Sequence, residues 1–203
     1  MIGGITGCII AQFTGVELWL LFAAFAIAGP WIQAAGRVRC LVQGCCHGHR
    51  ADDAIGIRYT HHRSRVCRLA GLKDIPIHAT PLYSILWNIV TGIILARFWS
   101  LSLPPTFIAG MYLVLNGLGR FVEESFRGEP QTPILGKLRL YQLMAILSVV
   151  IGMIFTMINT NAQFPPPEFD WRIIIASGLF GLFTWFALGV DFPNSNKRFA
   201  RLV

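Results

Sequence analysis

Long apolar runs separated by short polar connections dominate the chain. The stretches Ile9 to Ala28, Pro81 to Trp99, Thr106 to Phe121, Leu140 to Ile158 and Ile173 to Val190 each approach the roughly 20 residues that a helix needs to cross a bilayer, and Pro30 to Cys46 makes a shorter sixth candidate. The pattern predicts an all-α, polytopic membrane helix bundle of about five to six transmembrane helices. A polar arm, His49 to Ile77, lies between the second and third. The whole chain, 1–203, reads as one integral-membrane domain.

Two arginines interrupt this apolar sequence. Arg37 follows the run from Leu18 to Ala35, and Arg120 closes the run from Phe107 to Leu118, four residues before Glu124. A charge at mid-bilayer costs roughly 2.5–3.5 kcal/mol on insertion scales, so it normally faces a bundle interior or a wet cavity. Helical spacing puts Gln33, Arg37, Cys40 and Gly44 on one face of their segment, and Asn116, Arg120, Glu124 and Arg127 on one face of theirs. Two polar stripes on otherwise apolar helices need each other or a ligand. The competing structural reading is that the arginines snorkel to an interface, or that Arg120 and Glu124 form an i,i+4 pair that neutralises itself.

Composition supports the membrane class. Hydrophobic residues make up 54% of the chain against 13% charged, and the mean hydropathy of +0.57 is unusual for a soluble domain of this length. The start lacks a charged n-region and a small-residue cleavage site, so no cleavable signal peptide is expected. Gly3, Gly7, Ala11 and Gly15 recur every four residues, a spacing that lets helices pack closely. The net charge of +7 resides largely in Arg50, Arg58, Arg63, Arg65, Arg68 and Lys73 of the arm, in Arg127 and Lys137 of the connection Glu123 to Leu138, and in Lys197, Arg198 and Arg201 of the tail. With the six helices above, all three lie on one side, which the positive-inside rule makes cytoplasmic. No recognition motif accompanies the basic residues, so nucleic acid is not an expected partner and anionic lipid headgroups are.

Cys40, Cys45, Cys46 and His47 could suggest a metal or redox site, but a C-x-x-C with a second matching pair is missing, and no metal or cofactor is expected. Small residues at a glycine-flanked helix end, between Gly44 and Gly48, explain the vicinal pair more simply. His61 and His62 read as solvated loop residues. No internal repeat supports a transporter built from two halves.

Four segments, in order, carry a resemblance. Gly36-Arg37-Val38-Arg39-Cys40-Leu41-Val42-Gln43-Gly44-Cys45-Cys46-His47-Gly48 is similar to the glycine-arginine signature of the prolipoprotein diacylglyceryl transferases, including the Gly-Cys-Cys-x-Gly ending of some branches. His78-Ala79-Thr80-Pro81-Leu82-Tyr83 resembles the family's histidine-to-tyrosine motif. The segment from Asn116 to Gly128 resembles Tyr-Gly-x-x-Arg-Phe-x-x-Glu-x-x-Arg-Gly, and Tyr141-Gln142 falls where the last common helix opens. The resemblance covers about residues 3–158 and leaves the helix at about 173–190 outside it.

The resemblance implies transfer of a diacylglyceryl group from phosphatidylglycerol to the lipobox cysteine of a lipoprotein precursor, in a bacterial cytoplasmic membrane. Arg37 and Arg120 would bind and stabilise the phosphate, Glu124 would orient Arg120, and Arg127 would guide headgroups at the cavity mouth. His78 would accept the thiol proton. Gly36, Cys40, Gly44 and Asn116 would belong to the substrate site, and Tyr83 and Thr80, with Trp87 and Thr91 at helical spacing, would line the lipid site. The sequence departs from the family pattern in places: Ile2 stands where a histidine precedes Gly3-Gly4, and Cys40, Cys45 and Pro81 replace asparagine, glutamate and glutamine. The resemblance would also lead one to expect one or two helices ahead of Gly3-Gly4. A lipid-binding or scaffolding relative without transfer activity is therefore the alternative.

Overall fold

A computed structural model describes residues 12–13, 15–128, 133–162, 164 and 170–188. The small-residue stripe from Gly3 to Ala11, the triple proline at 165–167 and the basic tail lie outside the described residues. Six helices are described: α1 (Leu18–Gln43), α2 (Arg65–Leu69), α3 (Thr80–Ser100), α4 (Pro105–Phe126), α5 (Leu140–Thr156) and α6 (Trp171–Leu188). The chain is predominantly helical, as the apolar runs predicted. A two-residue hairpin, β1 (Ile134–Leu135) with β2 (Leu138–Arg139), turns through Gly136 at φ +67° just before α5.

Two boundaries differ from the sequence reading. Ile9 to Ala28 and Pro30 to Cys46 do not form two helices in the described residues: the chain from Leu18 to Gln43 is one helix of 26 residues with Pro30 inside it. Proline removes one backbone donor and disfavours the helix, but here its ring is buried against the bundle, so packing overrides the local break. In addition, α4 continues five residues past Phe121 to Phe126. Glu123 and Glu124 there are paired with arginines inside the protein, so polarity does not end the helix.

Helix contacts rely on small residues. A Cβ on Gly110 of α4 would come within 2.6 Å of the Gly152 carbonyl oxygen of α5, and a Cβ on Gly152 would stand equally close to Gly110 O. One turn-pair along, Gly117 lies against the Ala145 carbonyl. Gly92 of α3 receives the indole of Trp31 from α1, and Gly119 receives that of Trp87. Close backbone approach maximises van der Waals contact, which is what joins helices where lipid tails leave little hydrophobic driving force.

The bundle has chemically distinct ends. Ala23, Ala26, Leu95 and Ile108 form an apolar core flanked by Phe98, Trp99 and Tyr112, near the turn joining α3 to α4. Toward the opposite end the buried side chains are polar: Ser84, Asn88, Glu123, Glu124 and Gln142. The outer surface is the inverse of a soluble protein's, with Phe25, Ile32, Leu86, Ile93, Val122, Leu147 and Ile154 each about half or more exposed. Apolar patches of that extent mark contact with membrane or protein. Leu18–Gln43 and Thr80–Ser100 are long and apolar enough to cross a membrane.

Candidate active site

The polar end of the bundle is organised by α4. Glu123 and Glu124 sit on its last full turn, 5% and 3% exposed, and each collects guanidinium groups from more than one element. Arg37 Nη2 of α1 stands 3.0 Å from Glu123 Oε1, and Arg120 Nη1 donates to Glu123 Oε2 at 3.1 Å. Arg127 approaches Glu123 Oε1 at 3.7 Å and donates to Glu124 Oε2 at 3.3 Å; Arg139 reaches Glu124 Oε1 at 3.5 Å. Four arginines therefore meet two glutamates, a formal surplus of two positive charges.

This network corrects one sequence expectation. The carboxylate that orients Arg120 is Glu123, whereas Glu124 holds Arg127 and Arg139. Positions i+3 and i+4 both lie on the face of residue i, so spacing alone offered two acceptors for Arg120. Glu123 has the geometry to bridge Arg120 to α1 and Glu124 to bridge toward α5.

A cavity of about 670 Å³ opens beside these residues, lined by Gln33, Gly36, Arg37, Cys40 and Cys46 on one side and Asn116, Arg120, Glu124 and Arg127 on the other. Its size falls within the roughly 300–1,000 Å³ of small-molecule sites. Tyr141, Met144 and Ala145 of α5 complete the wall. Gln33 Nε2 donates to the Tyr112 hydroxyl at 2.6 Å, fixing an otherwise flexible amide between α1 and α4. Both predicted polar stripes therefore face one cavity, except that Gly44 does not line it. Gly44 instead ends α1 at φ +67°, with Tyr59 and Val66 of the arm packed where a side chain would project.

A second, smaller space of about 210 Å³ lies across α4, sharing Asn116 and Arg120 with the first and adding Tyr83, Trp87, Asn88 and Phe126. Tyr83 and Trp87 thus line a cavity together, but Thr80 and Thr91 do not join them. Both threonines are fully buried, and the Thr80 hydroxyl donates to the Cys46 carbonyl oxygen. A helix presents only one stripe to a space, and the α3 positions that reach this one are 83, 84, 87 and 88. His78 lines neither space. It is buried beside Phe126 and His49, with Nδ1 3.2 Å from the Tyr83 hydroxyl, so it touches the smaller space through that phenol. Burial, then the neighbouring His49, holds the His78 imidazole below its ordinary pKa of 6.5.

The arm, residues 44–79, is tied to the cavity mouth by backbone. Gly48 N donates to His78 O at 3.0 Å, His78 N to His49 O at 3.0 Å, His49 N to Phe126 O at 3.0 Å, and Gly128 N to His47 O at 3.1 Å. A Cβ on Gly48 would come within 2.5 Å of His78 Cβ and 2.9 Å of Phe126 O, so only glycine fits where the three segments cross. Within the arm, Val66, Ile77 and Ser64 are buried, and Ser64 caps α2 by accepting from Cys67 N at 3.2 Å. Arg58 pairs with Asp53 at 2.8 Å and approaches Asp74, so that basic residue is partly neutralised locally. His61 and His62 stack on each other at the exposed tip.

The profile of the family described as prolipoprotein diacylglyceryl transferase matches residues 1–158. A phosphatidylglycerol–prolipoprotein diacylglyceryl transferase 2 of Clostridium perfringens (strain 13 / Type A) is 26% identical over 160 residues, covering 78% of this chain and 60% of that protein. A phosphatidylglycerol–prolipoprotein diacylglyceryl transferase of Bacillus cereus (strain G9842) is 31% identical over 158 residues, covering 76% of this chain and 56% of that protein. The chain thus spans a little over half the length of these two relatives. With more than three quarters of its residues matched by the family profile, the chain belongs to the prolipoprotein diacylglyceryl transferase family.

Proposed function

We propose that the protein transfers the diacylglyceryl group of phosphatidylglycerol to the lipobox cysteine of a lipoprotein precursor, as a multi-pass protein of a bacterial cytoplasmic membrane. The observation that carries this reading is the cationic surplus around the cavity. Arg37, Arg120 and Arg127 converge on a space able to take a lipid headgroup, and their two glutamate partners leave positive charge available. Arginine suits a phosphate because its planar fork donates in pairs and stays charged when partly buried.

The attacking nucleophile in this reaction is the substrate's own sulfur. The sulfur forms a bond to the terminal glyceryl carbon while the bond from that carbon to the phosphate ester oxygen breaks, and glycerol phosphate departs with the electron pair. The protein's task is to hold the phosphate and stabilise the charge that grows on it. A preorganised donor in a water-poor site is worth about 2.7–4 kcal/mol to such a transition state. Glu123 fixes Arg37 and Arg120 before substrate arrives, so little reorganisation is needed at that moment. The thiol proton passes to His78 through Tyr83, the pair joined at 3.2 Å. On this reading the arm lies on the outer face, where precursors emerge, opposite to the cytoplasmic side that counting positive charges gives, and its remaining arginines contact headgroups.

The test is a gel-shift assay with the purified chain in phosphatidylglycerol liposomes and a fluorescent lipobox peptide, beside Arg37→Ala. A lipid-modified peptide formed by the wild type and absent with the variant is the expected result. Retention of phosphatidylglycerol with no modified peptide would reject transfer and leave a lipid-binding relative.

A further inference from the structure

Cys40, Cys45 and Cys46 show no motif spacing in the sequence, yet the fold brings their three sulfurs within 4.8 Å of one another. The convergence has identifiable causes. Cys40 occupies the last turn of α1; Gly44 then reverses the chain in the left-handed region, and Cys46, although not glycine, also takes a positive φ of 56°. The two left-handed residues fold the segment back so that Cys45 and Cys46 face Cys40. Three contacts hold that turn: the Tyr59 hydroxyl donates to the Leu41 carbonyl, Val66 and Tyr59 pack on Gly44, and the Thr80 hydroxyl donates to the Cys46 carbonyl. No disulfide joins these cysteines.

We propose that Cys40, Cys45 and Cys46 form a binding site for a thiophilic divalent cation such as zinc, with one coordination position left open to the cavity for a thiolate ligand from an incoming peptide. Sulfurs bound at about 2.3 Å around a tetrahedral centre stand about 3.8 Å apart, so the present spacing needs only a small contraction. Three protein ligands with one open position is the arrangement of sites that bind exchangeable ligands, whereas closed four-ligand sites are structural. Cys40 and Cys46 line the large cavity itself, together with Arg37 and Arg127. Three thiolates and one divalent cation carry a net negative charge, which Arg37 and Arg127 of the same cavity lining offset in part.

The choice of thiolate as fourth ligand rests on the transferase reading; the metal site itself does not. A thiol gives up its proton on coordination, so the site would present the substrate sulfur as thiolate beside the arginines that hold the phosphate. His78 and Tyr83 would then need only to accept the released proton. The segment between Gly36 and Gly48 would thereby serve both substrates, the lipid through Arg37 and the peptide through its thiols.

The experiment is a titration of the reduced full chain in nanodiscs with Co²⁺ alone, read by the sulfur-to-cobalt charge-transfer absorption, followed by displacement with Zn²⁺. One equivalent of Co²⁺ giving that band is expected, with Cys8→Ser/Cys67→Ser unchanged. Cys40→Ala, Cys45→Ala and Cys46→Ala should each weaken binding by more than the about 10–100-fold typical of losing a mere outer-shell partner, while keeping the wild-type elution profile and melting temperature. A lipobox peptide should then alter the band, and its cysteine-to-serine analogue should not. Absence of the band in reduced protein, or its survival in all three variants, would overturn the site; a band indifferent to the peptide thiol would overturn the open position. The liposome assay separates the two readings. Transfer that persists in the cysteine variants would sink thiolate docking alone, and a peptide-responsive cobalt band without transfer would sink the transferase reading alone.

Discussion

Arg37 of α1 and Glu123 of α4 form an ion pair at 3.0 Å, the only charged link between α1 and the rest of the bundle among the described residues. Both side chains are nearly withdrawn from solvent, at 12% and 5% exposure. Removing one partner of a buried pair strands the other charge at a cost of about 3–5 kcal/mol. Glu123→Gln should therefore lower the melting temperature of the detergent-solubilised protein strongly and abolish phosphatidylglycerol-dependent transfer. Melting like the wild type would show that the pair does not organise the bundle.

Arg37→Lys separates binding from folding. Lysine retains the charge toward Glu123 but loses the planar fork, so melting should change little while transfer falls about 100-fold or more, the scale of one lost transition-state donor. Equal transfer by the lysine variant would mean that Arg37 acts only as a structural cation.

The crossing of α4 and α5 tolerates no side chain. A Cβ on either Gly110 or Gly152 would stand 2.6 Å from the other's carbonyl oxygen. Gly152→Ala should cost about 1–3 kcal/mol by overpacking, and Gly152→Leu should also displace Tyr141 and Met144 from the cavity wall. Melting curves of the two variants, with phosphatidylglycerol retention for the second, check both effects.

Acid should impair the protein through His78. Its folded-state pKa lies below 6.5, so the native state resists protonation, and stability from this group is complete above 6.5 and declines as the pH falls through that value toward the lowered one. Activity should follow, because protonated His78 cannot accept a proton. The transfer rate should show an acid limb below pH 6.5, and His78→Gln should flatten that limb as well as slow the reaction.

Thr80→Val probes the thiol-bearing turn without touching a cysteine. The variant leaves the Cys46 carbonyl without its hydroxyl donor, at about 1–3 kcal/mol for an unsatisfied buried group. The rate of Cys46 alkylation by a small maleimide should rise relative to Cys67, whereas an unchanged ratio would show that other contacts suffice.

Much of this was legible in the residues themselves. The limits of α3 and α5 and the start of α6 follow the apolar runs to within about two residues, because uninterrupted hydrophobic sequence leaves the backbone no better option than its own hydrogen bonds. The two polar stripes were also legible, since 3.6-residue periodicity fixes which side chains share a face. The single helix through Pro30 was not, because its ring is accommodated by neighbours distant in sequence. Nor was the choice of Glu123 over Glu124 for Arg120, which depends on where Arg37 and Arg139 arrive from other helices. The gathering of the three thiols depended on Cys46 adopting a backbone conformation that its residue type does not announce.

The backbone clasp at Gly48, His78 and Phe126 separates what can vary from what cannot. Both feet of the arm are fixed to the bundle there and Tyr59 and Val66 pack on the thiol-bearing turn, so the outer part of the loop at 60–63, with the exposed stacked histidines at 61 and 62, behaves as a handle whose composition is independent of the cavity beneath it. Exchanging that outer part for another sequence would re-dress the molecule's contact with lipid or peptide while leaving the arginines and thiols in place, and this makes the arm the natural place to engineer selectivity.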